Sequence, residues 1–153
     1  MALIGVPVVY PDHAERAVRA ALGMVGRLAG LNAHLSAQGK PPLQIGIGVH
    51  TGEVIAGKLG PDTREEYAVV GDPVNVASRV EGLTKELQTT ILISDVTAAQ
   101  LGPGFLLGRT AVLPVKGKAQ PVRVVEVLWL APDLAPSVQP CLQAKGAREP
   151  GPG

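Results

Sequence analysis

Apolar positions change their period several times along the 153 residues, and each change predicts a new element. Residues 2–9, ALIGVPVV, form a short apolar run that reads as a strand, with Pro7 marking its end or a sheet edge. YPDH then interrupts the pattern. Asp12 suits a helix N-cap, with Glu15 three residues later as its capping-box partner. Over residues 14–38 the period is helical: Ala17, Ala21, Leu22, Val25, Leu28, Leu31 and Leu35 make one stripe. Gly39, Pro41 and Pro42 end that helix.

Residues 43–57, LQIGIGVHTGEVIAG, alternate Ile, Ile and Val, which predicts a buried strand, a turn near Thr51 and Gly52, and a further extended stretch. Residues 58–66 are polar and turn-rich, as in a projecting hairpin arm. YAVVG, residues 67–71, is another strand. Asp72 and Pro73 then read as an N-cap followed by proline at the first helical position, opening a helix that runs to about Leu87. TILIS, residues 90–94, predicts a strand, and residues 95–101 a short helix. FLLGRTAVLPV and PVRVVEVLWL read as two strands joined by a tip at Lys116, Gly117 and Lys118. From Ala131 onward periodicity gives way to Pro and Gly, so residues 131–153 read as a flexible tail behind a domain of residues 1–130. The order predicts an α+β or mixed α/β fold with helices packed on a sheet.

Composition narrows this picture in a few places. Hydrophobic residues make up 46% of the chain and aromatics only 3%, so the core is aliphatic. A net charge of +1 gives no argument for a nucleic-acid partner. The single cysteine, Cys141, excludes a disulfide framework and a cysteine-based metal site. No His, Cys, Asp and Glu spacing suggests zinc. No apolar run reaches the ~18–20 residues of a membrane span, and MALIGVPVVYPDH lacks the marks of a signal peptide. The expectation is a cytoplasmic domain, by itself or as the cytosolic part of a membrane-anchored protein.

The chemistry concentrates in GDPVNVASRVEGLTKE, residues 71–86. Val76, Val80, Leu83 and Leu87 form its apolar stripe. Asn75 and Arg79 lie four apart and share another face. An amide there can donate and accept hydrogen bonds to a ribose. A guanidinium one turn on can grip phosphate oxygens and stabilise charge that grows in a transition state. The plainer alternative is a solvated helix face with Arg79 paired to a surface glutamate. In VKGKAQP, residues 115–121, two lysines flank a glycine, which suits a polyphosphate and equally suits a solvated turn. The glycines at 46, 48, 52, 57 and 60 imply close backbone approach or sharp bends. They match neither a Walker loop nor a dinucleotide fingerprint. His50 reads as a structural or interface histidine rather than a base, and His13 and His34 receive no role.

In order along the chain, IGIGVHTGEVIAGKLG, EYAVVGDPVNVASRVEGLTKE and VKGK resemble the catalytic domain of class III adenylate and guanylate cyclases over roughly residues 1–130. The resemblance implies a ferredoxin-like α/β sandwich that dimerises with its sites at the subunit interface. It implies that Asn75 and Arg79, in N-V-A-S-R, bind the ribose and stabilise the transition state. Lys116, with Lys118 second, would bind the triphosphate. It implies ATP or GTP as substrate, two Mg or Mn ions, and attack of the ribose 3′-hydroxyl on the α-phosphate with loss of pyrophosphate.

Two departures qualify that implication. The opening MALIGVP resembles the strand just after the family's second metal-binding aspartate, so the chain reads as N-terminally truncated. The metal ligands and the base-selecting lysine are then expected to be absent, and the isolated domain marginal or oligomeric. At Ala68 the family commonly places a polar residue that reads the purine edge, and alanine carries no polar group. Three functions compete. The first is a cyclase domain, adenylate before guanylate, that supplies the ribose half of a shared site beside a complete partner. The second is a non-catalytic homology module for dimerisation or nucleotide sensing. The third is a piece cut from an ordinary cyclase.

Overall fold

The helical period read over residues 14–38 becomes the first helix of the chain, displaced by one residue. The computed structural model describes residues 1–59, 66–113 and 121–130. Its elements are α1 (His13–Ala37), β1 (Ile47–Val49), β2 (Ile55–Leu59), β3 (Glu66–Val70), α2 (Asp72–Glu86), β4 (Ile91–Ser94), α3 (Asp95–Ala98), β5 (Phe105–Leu113) and β6 (Val122–Leu130). Four strands form one sheet in the order β1-β4-β6-β5, with β1 parallel to β4 and the other pairs antiparallel. β2 and β3 make a separate antiparallel ribbon. The predicted α+β class and the terminal hairpin are both present.

The sheet is covered on both faces. β4 lies between β1 and β6, and its residues Ile91, Leu92, Ile93 and Ser94 are all buried. A short, continuously apolar run suits a strand covered on both sides. Alternation divides its neighbours between the helices. Ile91 and Ile93 pack with Val125 and Val127 against Val18 and Ala21 of α1. Leu92 packs with Val124 against Val76, Val80 and Leu83 of α2. The two helices therefore lie on opposite faces, and each fully buried Val, Leu or Ile contributes about 1.5–3 kcal/mol.

α1 overhangs this sheet. Its 25 residues span roughly 37 Å, whereas a four-residue strand covers about 13 Å. The buried contacts fall on Ala14, Val18 and Ala21, with Leu22 and Val25 partly covered. The predicted stripe fades toward the C-terminus, where Leu31 is 46% exposed. That end is tied down instead by Asn32. Its Nδ2 donates to Leu43 O at 2.9 Å, and its Oδ1 accepts from Leu43 N at 2.8 Å.

Several local expectations give way. Residues 2–9 form no strand, and residues 4–8 bend instead. Gly5 has φ 93, outside the extended region, and Pro7 has no N–H to give a ladder. Asp12 occupies the N-cap position of α1 without a side-chain capping bond. Its carboxylate accepts from Arg16 Nε at 2.8 Å, which holds its pKa below the ordinary aspartate value. Glu15 does not reach back to the cap but accepts from Gly102 N at 2.9 Å. The N-cap of α2 is Gly71, with Asp72 already in the first turn beside Pro73. Among the described residues no helix is long and apolar enough to cross a membrane.

Candidate functional site

α2 exposes one flank because its other flank is pressed hard onto the sheet. Gly48 in β1 and Gly46 just before it both face the helix. A Cβ at Gly48 would sit 2.7 Å from Ala77 O and closer still to the backbone N of Glu81. A Cβ at Gly46 would strike the Thr84 hydroxyl. Thr84 is itself buried, and its Oγ1 donates to Glu81 O at 2.6 Å. At Gly48 the strand and the helix therefore meet backbone to backbone, which only glycine permits. The sequence left close approach and sharp bends open at these glycines and did not point to α2.

Asn75 and Arg79 lie one turn apart on α2, away from Val76, Val80 and Leu83. Asn75 is exposed and Arg79 half-buried. Among the described residues no hydrogen bond or ion pair engages either side chain. The expected surface glutamate partner for Arg79 is thus not found among them. Lys116 and Lys118 lie outside the described residues, although the strands that lead to them pair as far as Leu113 and Val122. Ala68 stands opposite Gly57 in the β2–β3 ribbon, and its side chain is outside what is described. The structure thus brings together Asn75 and Arg79 and leaves the other candidates to sequence. No three His, Cys, Asp or Glu side chains converge to hold a metal ion among the described residues. The described residues therefore do not make a metal site by themselves.

Two polar groupings border α2 that the sequence did not reveal. Near its C-terminus, Glu126 accepts from Thr89 Oγ1 at 2.5 Å and from Arg109 Nε at 3.1 Å. Burial pushes the Glu126 carboxyl up, but the hydrogen bonds from Thr89 and Arg109 together hold it below the ordinary glutamate value. Near its N-terminus, His50 Nδ1 lies 2.8 Å from Ser94 Oγ, and Thr51 Oγ1 lies 3.1 Å from Thr97 Oγ1. Ser94 caps α3 by accepting from Thr97 N at 3.4 Å, and both residues are fully buried. Their separations of 44 and 46 residues leave no local signal by which sequence reasoning could have found them.

Comparison with known proteins gives a consistent result. The family model described as the adenylate and guanylate cyclase catalytic domain matches residues 1–130. Adenylate cyclase 1 of Rhizobium meliloti is 35% identical over 127 residues, covering 83% of this chain and 19% of that protein. The guanylyl cyclase Cya2 superposes with a TM-score of 0.78 at 32% identity, covering 89% of this chain and 68% of that one. The adenylyl cyclase CyaB from P. aeruginosa gives a TM-score of 0.75 at 31% identity, over 86% of this chain and 68% of that one. The chain therefore spans about a fifth of the curated relative and about two thirds of each solved domain.

Proposed function

Because this chain belongs to the adenylate and guanylate cyclase catalytic domain family, we propose that α2 holds a nucleoside triphosphate and promotes its cyclisation in a site shared with a second cyclase domain. The observation that carries this reading is the placement of Asn75 and Arg79. They stand one turn apart on a flank with no described partner, while the opposite flank is locked against Gly46 and Gly48. Asn75 orients the ribose through its amide. Arg79 reaches the phosphates and stabilises the charge that builds as the 3′-oxygen bonds to the α-phosphorus and the bond to pyrophosphate breaks. Lys116, or Lys118 in its place, holds the triphosphate. Divalent ions of the family, Mg or Mn, would neutralise phosphate charge with ligands brought from outside the described residues. Residues 1–130 make up the cyclase unit, and residues 131–153 a tail beyond it. The adenylate cyclase name of the 35% identical relative supports ATP as the first substrate to test, with GTP beside it.

The test is complementation. The chain is mixed with a complete cyclase whose own equivalents of Asn75 and Arg79 are replaced, and cyclic nucleotide is measured by chromatography. Rescue by the wild type and none by Arg79→Ala is the expected result. No rescue, together with no nucleotide binding by the chain itself, overturns the reading.

A further inference from the structure

We propose that His50 is a positioning residue that fixes the turn beneath the first turn of α2, and so sets where Asn75 and Arg79 stand. β1 ends at Val49, and Gly46 and Gly48 secure the helix around Ala77, Glu81 and Thr84. The first turn of α2 lies beyond that reach. What meets it is the segment after β1: a Cβ at Gly52 would come within 2.5 Å of Pro73 Cγ and 3.0 Å of Pro73 Cβ. His50 Nε2 lies 3.6 Å from the same point.

Residues 50–54 have no regular backbone structure, so no ladder of main-chain bonds holds Gly52 in place. Side chains do this instead. His50 is held through Nδ1 to Ser94, and Thr51 through its hydroxyl to Thr97. Ser94 and Thr97 also lie 3.1 Å apart, hydroxyl to hydroxyl. Both anchors are fully buried at the start of α3. A satisfied buried polar network is rigid and specifies one arrangement. The route runs from the α3 cap through His50 to Gly52, then to Pro73 and the residues that follow it on α2. Its consequence for substrate rests on the reading of Asn75 and Arg79 given above, whereas the positioning itself does not.

The full chain is compared with His50→Ala, His50→Asn and Gly52→Ala. Asparagine places a polar atom where Nδ1 stood, and Gly52→Ala pushes on Pro73 with His50 intact. Amide hydrogen exchange is read along α2. In His50→Ala, exchange at residues 76–79 rises about fivefold to tenfold, as expected for loss of one hydrogen-bonded constraint. Residues 83–86 stay at the wild-type rate. His50→Asn returns the wild-type pattern, and Gly52→Ala reproduces the change. Unchanged exchange, or an equal rise along the whole helix, overturns the inference. If His50→Ala does not fold, the other two variants decide by the same criterion. Titration with a fluorescent ATP analogue separates the two levels. A matching loss of affinity in His50→Ala, recovered in His50→Asn, extends the positioning to substrate. A wild-type chain that binds no nucleotide removes the proposed function, and the exchange data still judge His50.

Discussion

On the α1 side of the sheet, Val18 and Ala21 meet Ile91, Ile93, Val125 and Val127 through side chains alone. On the α2 side, Gly48 brings strand backbone against the backbone of Ala77 and Glu81, and Gly46 lies against the Thr84 side chain. Side-chain packing can be adjusted by rotamer changes, so the first face tolerates small shifts of its helix. Backbone against backbone has no such slack, because neither partner can rotate away. The helix that carries the two candidate side chains, Asn75 and Arg79, is the one on the unyielding face. The longer helix, which carries no candidate site residue, rests on the adjustable one and overhangs the sheet.

The sharpest way to break this contrast is Gly48→Ala. The added methyl meets backbone atoms of α2, and we expect a loss of about 3 kcal/mol in urea unfolding, near the upper end for overpacking. A loss below about 1 kcal/mol would show that α2 can move and that the distinction between the faces is not real. Val18→Ala probes the other face, where Val18 is 0% exposed. Removing two methyl carbons there should cost about 2 kcal/mol, without disturbing the nucleotide binding proposed for α2. A change in binding would mean that the faces are coupled.

A weaker effect is expected at the rim of the α2 face. The pKa of Glu126 is lowered in the fold by Thr89 and Arg109 against the opposing effect of burial. Its ionised form therefore stabilises the fold above the unfolded glutamate pKa, about 4.3. That contribution is lost as the pH falls through the lower folded value. Glu126→Gln should accordingly unfold more easily than the wild type at neutral pH, and the gap in melting temperature should close on acidification. A gap that stays constant with pH would remove Glu126 from the charge balance. The smallest effect belongs to Gly30→Ala, inside α1 where a Cβ meets nothing within 4 Å. It should stabilise the chain by about 0.5–1 kcal/mol, the opposite sign from Gly48→Ala.

Much of the fold was legible in sequence because helical and extended periods are written locally. α2, β3, β4 and the terminal hairpin fall within a residue or two of where the periodicity places them. The strand expected over residues 2–9 failed because its apolar content resembled a strand while Gly5 and Pro7 denied it the backbone geometry. The capping box failed for a different reason. Arg16 offered Asp12 a charged donor one turn away, and Glu15 found the backbone of Gly102, 87 residues on.

By itself the sequence determined that Asn75 and Arg79 share a helix flank, because four-residue spacing is a property of any α-helix. It likewise determined that the glycines around residues 46–52 mark close approach or sharp bends, and that Val76, Val80 and Leu83 turn inward. Only the tertiary structure decided that α2 is what approaches, and that the strand order is β1-β4-β6-β5. It also decided that His50 finds Ser94 across 44 residues. Local geometry is repeated at every turn of a helix and can be read from a few positions. The pairing of distant segments depends on how the whole chain closes around its core, and no short stretch of sequence contains it.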